Sequence, residues 1–216
     1  SANLISSNKV LGTSDPFSGE YGISLNPESF VAKEFRAYFT DKNRGVVIRL
    51  SADGITPVSM HGMEDYFRDE LQVAHTHFGS YDDKKQLYNL TLVSESPKSH
   101  TISFSEKIKG WTSRMSFVPE TGVSLNNEYY TFYNGEIWLH HNNNNRGTFY
   151  ATAYECSVRL LRNSAPDIVK SFKTWNYEGT QSKVGANLSD GNYVNNFGKD
   201  GWYNYSMFTD MQEGEV

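Results

Sequence analysis

With 216 residues, 38% of them hydrophobic and 14% aromatic, the chain can bury one large core or two small ones, and a disordered chain is excluded. Its 20 basic and 25 acidic residues leave a net charge of −5, which argues against a protein that grips a nucleic-acid backbone. No apolar run approaches the roughly 18 residues of a membrane-crossing helix, and the single cysteine, Cys156, excludes an internal disulfide framework or a cysteine-rich zinc site.

The chain opens Ser1-Ala2 with no signal-peptide pattern, and it reads as a single β-rich fragment, 1–216, of a longer protein. Short aromatic and β-branched runs separated by polar turns set an all-β pattern. Ala37–Thr40 and Val46–Leu50 flank the turn Asp41-Lys42-Asn43-Arg44-Gly45, and the turn Asp53-Gly54 leads on to Ile55–Val58. Met63, Tyr66, Phe67 and Leu71 then fall on one helical face, with Glu64 and Asp65 in the first turn. That spacing predicts a short helix inserted between sheets.

Two similar hairpins follow. Tyr81 and Tyr88 stand seven apart around a polar turn, and Phe104 and Trp111 repeat that spacing 23 residues later. Two such hairpins fill about the 40–50 residues of one four-stranded propeller blade. Tyr129–His141 makes another hairpin about Asn134-Gly135, and Asn142–Asn145 form a polar loop. The expected fold is all-β, with β-propeller-like blades of antiparallel hairpins and a β-sandwich as the alternative. A soft boundary falls near 146–152.

Beyond it, Tyr154, Cys156, Val158 and Leu160 alternate with other side chains and predict a half-buried strand holding a buried thiol. Ser164 and Pro166 suggest a helix start, Ile168–Trp175 reads as a short helix or a strand, and Gly191–Phe208 as a last hairpin around Gly198–Gly201.

Candidate chemistry is sparse. His75, His77, His140 and His141 read as surface or hairpin-end histidines, because a metal site needs three convergent ligands, so no metal and no cofactor is expected. Asp82 and Asp83 read as turn formers rather than as a glycosidase pair. No nucleophile elbow or phosphate loop occurs, and no catalytic residue is assigned. Trp111, Trp138, Trp175 and Trp202 read mainly as plugs between sheets, with Trp138 and His140 as candidate glycan contacts. Sequons begin at Asn89, Asn187 and Asn204.

Two resemblances rest on these residues. Tyr38, Phe39, Thr40, Asp41, Asp53 and Gly54 are similar to a YWTD-type propeller repeat. The run through GEYGISLNPESF, FTDKNRGVVIRLSADGITPVS, GSYDDKKQLYNLTL, KGWTSRMSFVPETGVSLNNEYYTFYNGEIWLHH and VKSFKTWNYEGTQSKV resembles the large virion structural proteins of tailed bacteriophages, notably crAss-like and related marine phages. That resemblance implies a non-enzymatic tail component of the nozzle or muzzle kind, located in the virion, with other virion subunits as partners and a homo-oligomeric context. A glycan- or receptor-binding tail module is the alternative expectation, and a propeller glycosidase the weaker one. Neither a membrane nor tightly held nucleic acid is expected as a partner.

Overall fold

The computed structural model describes residues 17, 19–96, 98–162, 164–165, 167–171, 205–208 and 213–215. Strands β1 (Val31–Lys33), β2 (Arg36–Asp41), β3 (Val46–Ser51) and β4 (Gly54–Pro57) form one antiparallel meander. After helix α1 (Glu64–Val73) comes a second meander of β5 (Thr76–Asp82), β6 (Leu87–Val93), β7 (His100–Ser105) and β8 (Gly110–Met115). The third has three strands, β9 (Thr121–Leu125), β10 (Glu128–Tyr133) and β11 (Glu136–Leu139). Val31, Thr76 and Thr121 open the three sheets, 45 residues apart in each case. The repeat is therefore regular in its first strands, although the turn spacing is not.

Local chemistry fixes the meanders. Asp41 ends β2 and its carboxylate accepts the Arg44 amide, while Asp82 ends β5 and accepts the Lys85 amide, so one turn device recurs in successive sheets. The aromatic pairs seven apart face one another across strands, Tyr81 opposite Tyr88 and Phe104 opposite Trp111. Asn134 and Gly135 both adopt left-handed backbone at the tip of β10–β11, as do Asn126 and Asn127 between β9 and β10, the geometry a two-residue hairpin turn requires.

The sheets are layered face to face, and β5 packs between β1 and β9. Between the first two sheets lies an apolar core: Tyr38 and Val47 meet Tyr88, Leu90, Leu92, Ile102 and Phe104, with Phe67 and Leu71 of α1 closing it. The predicted helix thus caps the layer between two sheets. Trp111 packs on Phe67 and Phe104, and its indole N–H donates to the Val58 carbonyl at 3.1 Å, so this ring is a plug. A Cβ at Gly79 on β5 would overlap the Ser29 carbonyl oxygen, so the close approach of the first strands depends on that glycine. The fold is all-β, built of successive antiparallel meanders, and the described sheets close into neither a barrel nor a propeller ring.

Three expectations change on contact with the structure. Residues 154–160 pair with no strand among the described residues, and the Tyr154 amide instead donates to the Gly147 carbonyl at 2.7 Å. Alternation predicts which faces a strand would show, but a strand needs a partner to hold it. Cys156 is consequently exposed rather than buried. His77 is fully buried rather than superficial. Asn89 is also buried, so its sequon offers no acceptor in the folded chain.

Two compact units are distinguished, Ser1–Val158 and Arg159–Val216. In the second, a strand at Ser206–Phe208 pairs antiparallel with one at Glu213–Glu215, a partner downstream of the expected one. Ser164 starts no helix, Ile168–Ser171 has no regular structure, and the rest of the expected hairpin, with Trp175, Trp202 and the other two sequons, lies outside the described residues.

Candidate functional site

The hairpin β10–β11 and the chain that follows bring the two candidate glycan contacts together. Trp138 and His140 are two residues apart, so they share a face, and Thr131 on β10 sits between them. Thr131 Oγ1 lies 2.7 Å from His140 Nε2 and 2.9 Å from the Tyr150 hydroxyl. In a consistent assignment the phenol donates to Thr131, whose own hydroxyl donates to an unprotonated Nε2. Tyr150 in turn stacks on Tyr133 at 4.3 Å between ring centres and meets Trp138 edge-on at 5.5 Å. Phe117, Tyr129 and Phe149 complete the surround of His140.

The arrangement joins the end of β11 to the chain that follows it through an aromatic and hydrogen-bonded cluster. Desolvation, followed by the neighbouring His141, lowers the His140 pKa to about 4 and keeps the ring neutral. The Trp138 indole N–H is buried without a partner among the described residues.

Next to this joint, His141 Nε2 lies 2.6 Å from Asp82 Oδ2, with Asp82 only 2% exposed. Asp82 thus keeps its expected turn-forming role and gains a second one, tying the chain after β11 to the end of β5. Asp83 diverges from it: its carboxylate meets Lys33 Nζ at 2.8 Å and its amide donates to Ser124. The other buried histidines are likewise spent. His77 Nε2–H donates to the Leu71 carbonyl and Nδ1 accepts from Thr40, while His100 Nδ1–H donates to the Lys98 carbonyl and Nε2 accepts from Tyr66. Among the described residues no group of three His, Cys, Asp or Glu side chains is placed to hold a metal ion.

What the sequence reading did not single out is the outer face of the third sheet. Gly122, Ser124, Tyr129, Thr131 and Trp138 point inward, so strand alternation turns Val123, Leu125, Tyr130, Phe132, Ile137 and Leu139 outward together. Ile137 is 65% exposed, and Val123 and Leu125 are also exposed. The matching outer face of the first sheet, Phe39, Ile48, Leu50 and Ile55, is covered by Tyr21 and Ile23. Counting apolar residues on the face that alternates away from Thr131 would have found this surface.

No helix among the described residues is long and apolar enough to cross a membrane. No protein-family model matches the chain, and no curated protein matches it.

Proposed function

We propose that the chain is a non-enzymatic structural module of a bacteriophage tail, in which a neighbouring β-rich subunit continues the stack of sheets on the outer face of β9–β11. The observation that carries this reading is the uncovered apolar face on a sheet whose other side holds the buried Tyr129 and Thr131. Exposed apolar surface of this extent is retained where a partner covers it. The buried histidines support a non-enzymatic role, since each is held in structural hydrogen bonds. The resemblance to large virion proteins of crAss-like phages supplies the tail as the setting, with other virion subunits, including further copies of this chain, as partners.

Mass spectrometry of gradient-purified particles is the direct test, read together with sedimentation of the isolated chain and of Ile137→Glu. Peptides of this chain at stoichiometric level in the particles, and an association that the exposed-face variant abolishes without lowering the melting temperature, are expected. Absence from the particles would overturn the reading.

A further inference from the structure

The meander topology sends the β1–β2 and β3–β4 turns to the same end of the first sheet. Between them lies an open cleft of about 310 Å³, lined by Glu34, Phe35, Arg36, Arg49, Ser51 and Asp53. Three features of this cleft lack a structural purpose within the fold. Phe35 stands at the tip of a two-residue turn with 88% of its surface exposed, beside Glu34 in left-handed backbone at φ 53°. A tight turn of this kind favours Asn or Gly, and an exposed Phe ring contributes nothing to the core. Arg36, alongside it, has no carboxylate within ion-pairing distance among the described residues. Arg49 has a buried Nε without a partner.

The remaining groups are tied to one another. Arg49 reaches Glu106 at 3.1 Å and Asp53 at 3.2 Å, Ser51 bonds to Asp53, and Glu106 also accepts from the Tyr38 hydroxyl at 2.6 Å. Tyr38 belongs to the core between the first two sheets, so this network anchors one wall of the cleft to the packed interior. A ring on one side and charged hydrogen-bonding groups on the other, with Arg49 anchored through Glu106, form a polar site with an apolar platform.

The geometry points to a saccharide site that takes a pyranose bearing a carboxylate, such as a uronic acid unit of an acidic polysaccharide. The C–H face of the sugar lies on Phe35, its hydroxyls meet Ser51, Asp53 and Glu34, and its carboxylate pairs with Arg36. An unpaired guanidinium beside an aromatic platform fits this class because Arg binds carboxylates in a planar, two-pronged fashion. The inference goes beyond the assembly role and stands on a different sheet from the surface that carries it.

Saturation-transfer NMR and calorimetry on the whole chain test it, with hexagalacturonate as the acidic probe and maltohexaose as the neutral one. Saturable binding of hexagalacturonate is expected, at least tenfold weaker in Phe35→Ala and in Arg36→Gln, partly restored in Arg36→Lys, and unchanged in Trp138→Phe. Maltohexaose should bind at least tenfold more weakly than the acidic probe. Because Phe35 and Arg36 are exposed, the melting temperature of both variants should match the parent, which separates lost binding from lost folding. No saturable binding of the acidic probe at millimolar concentration, equal binding of both probes, or undiminished binding in Phe35→Ala would each overturn the inference.

Discussion

The middle sheet buries both faces of its strands β5–β7, and it does so by opposite means. Toward the first sheet it presents Tyr88, Leu90, Leu92, Ile102 and Phe104, an apolar surface that water leaves readily. Toward the third sheet it presents Ser80, Asn89, Thr91, Thr101 and Ser103, all buried and all polar. These groups satisfy one another: Ser103 donates to Asn89, Thr91 and Thr101 share a 2.7 Å hydrogen bond, Thr101 donates to the Phe117 carbonyl, and Ser80 meets the Tyr129 hydroxyl at 2.7 Å. The first interface gains free energy from area. The second gains little net energy per bond, but any mismatch leaves a buried polar group unpaired, so it specifies register more than it adds stability.

The sharpest way to separate the two is to delete apolar volume. Leu90→Ala removes a fully buried side chain from the apolar interface, and a loss of about 2–5 kcal/mol is expected from transfer and cavity terms together. Urea unfolding followed by circular dichroism measures it. A loss under 1 kcal/mol would mean that the first interface is not the principal source of stability.

Acid probes the same interface through His77, which is buried there together with His100. Desolvation, followed by Lys42, lowers the His77 pKa from 6.5 to about 4. The unfolded chain therefore binds a proton near pH 6.5 that the fold refuses until about 4, so stability from this group is intact above 6.5 and falls as the pH drops through that window. The slope is at most about 1.4 kcal/mol per pH unit for a single group. His140, in the third sheet's aromatic joint, is lowered to the same value and adds to the loss over the same window. His77→Gln should flatten the melting temperature against pH between 6.5 and 4, and an unchanged profile would locate the acid sensitivity elsewhere.

How far these differences were legible depends on the kind of residue. Aromatic spacing identified the cross-strand pairs Tyr81–Tyr88 and Phe104–Trp111, and periodicity placed Phe67 and Leu71 on the buried side of a helix, because apolar side chains declare their face. Buried hydroxyls do not. Ser80, Thr91 and Ser103 look like any exposed strand position until a neighbouring sheet covers them, and so the polar interface could not be read. Asp82 showed its turn role because Lys85 is local, but its tie to His141 spans 59 residues and has no sequence signature. The reverse error occurred at 154–160, where alternation is present and a partner is not. The Phe35 cleft was invisible because its walls come from two turns separated by a full hairpin.

The smallest expected effects test the polar interface itself. Tyr129→Phe removes a hydroxyl that bonds Ser80 and leaves that serine buried without its partner, so a loss of about 1 kcal/mol is expected. Ser80→Ala alone should cost a similar amount, because it strands the phenol instead. Removing both leaves neither Ser80 nor Tyr129 with a stranded hydroxyl, and the double variant should be less destabilised than the sum of the two single ones. Gly122 adds a steric control, since a Cβ there would sit 3.1 Å from both the Ser80 Cβ and the Tyr129 hydroxyl. Gly122→Ala should therefore be better tolerated in the Ser80→Ala background, where the chain has room to shift toward the vacated hydroxyl. If both double variants are simply additive, the interface between the second and third sheets is held by surface area after all, and the contrast between the two faces of the middle sheet disappears.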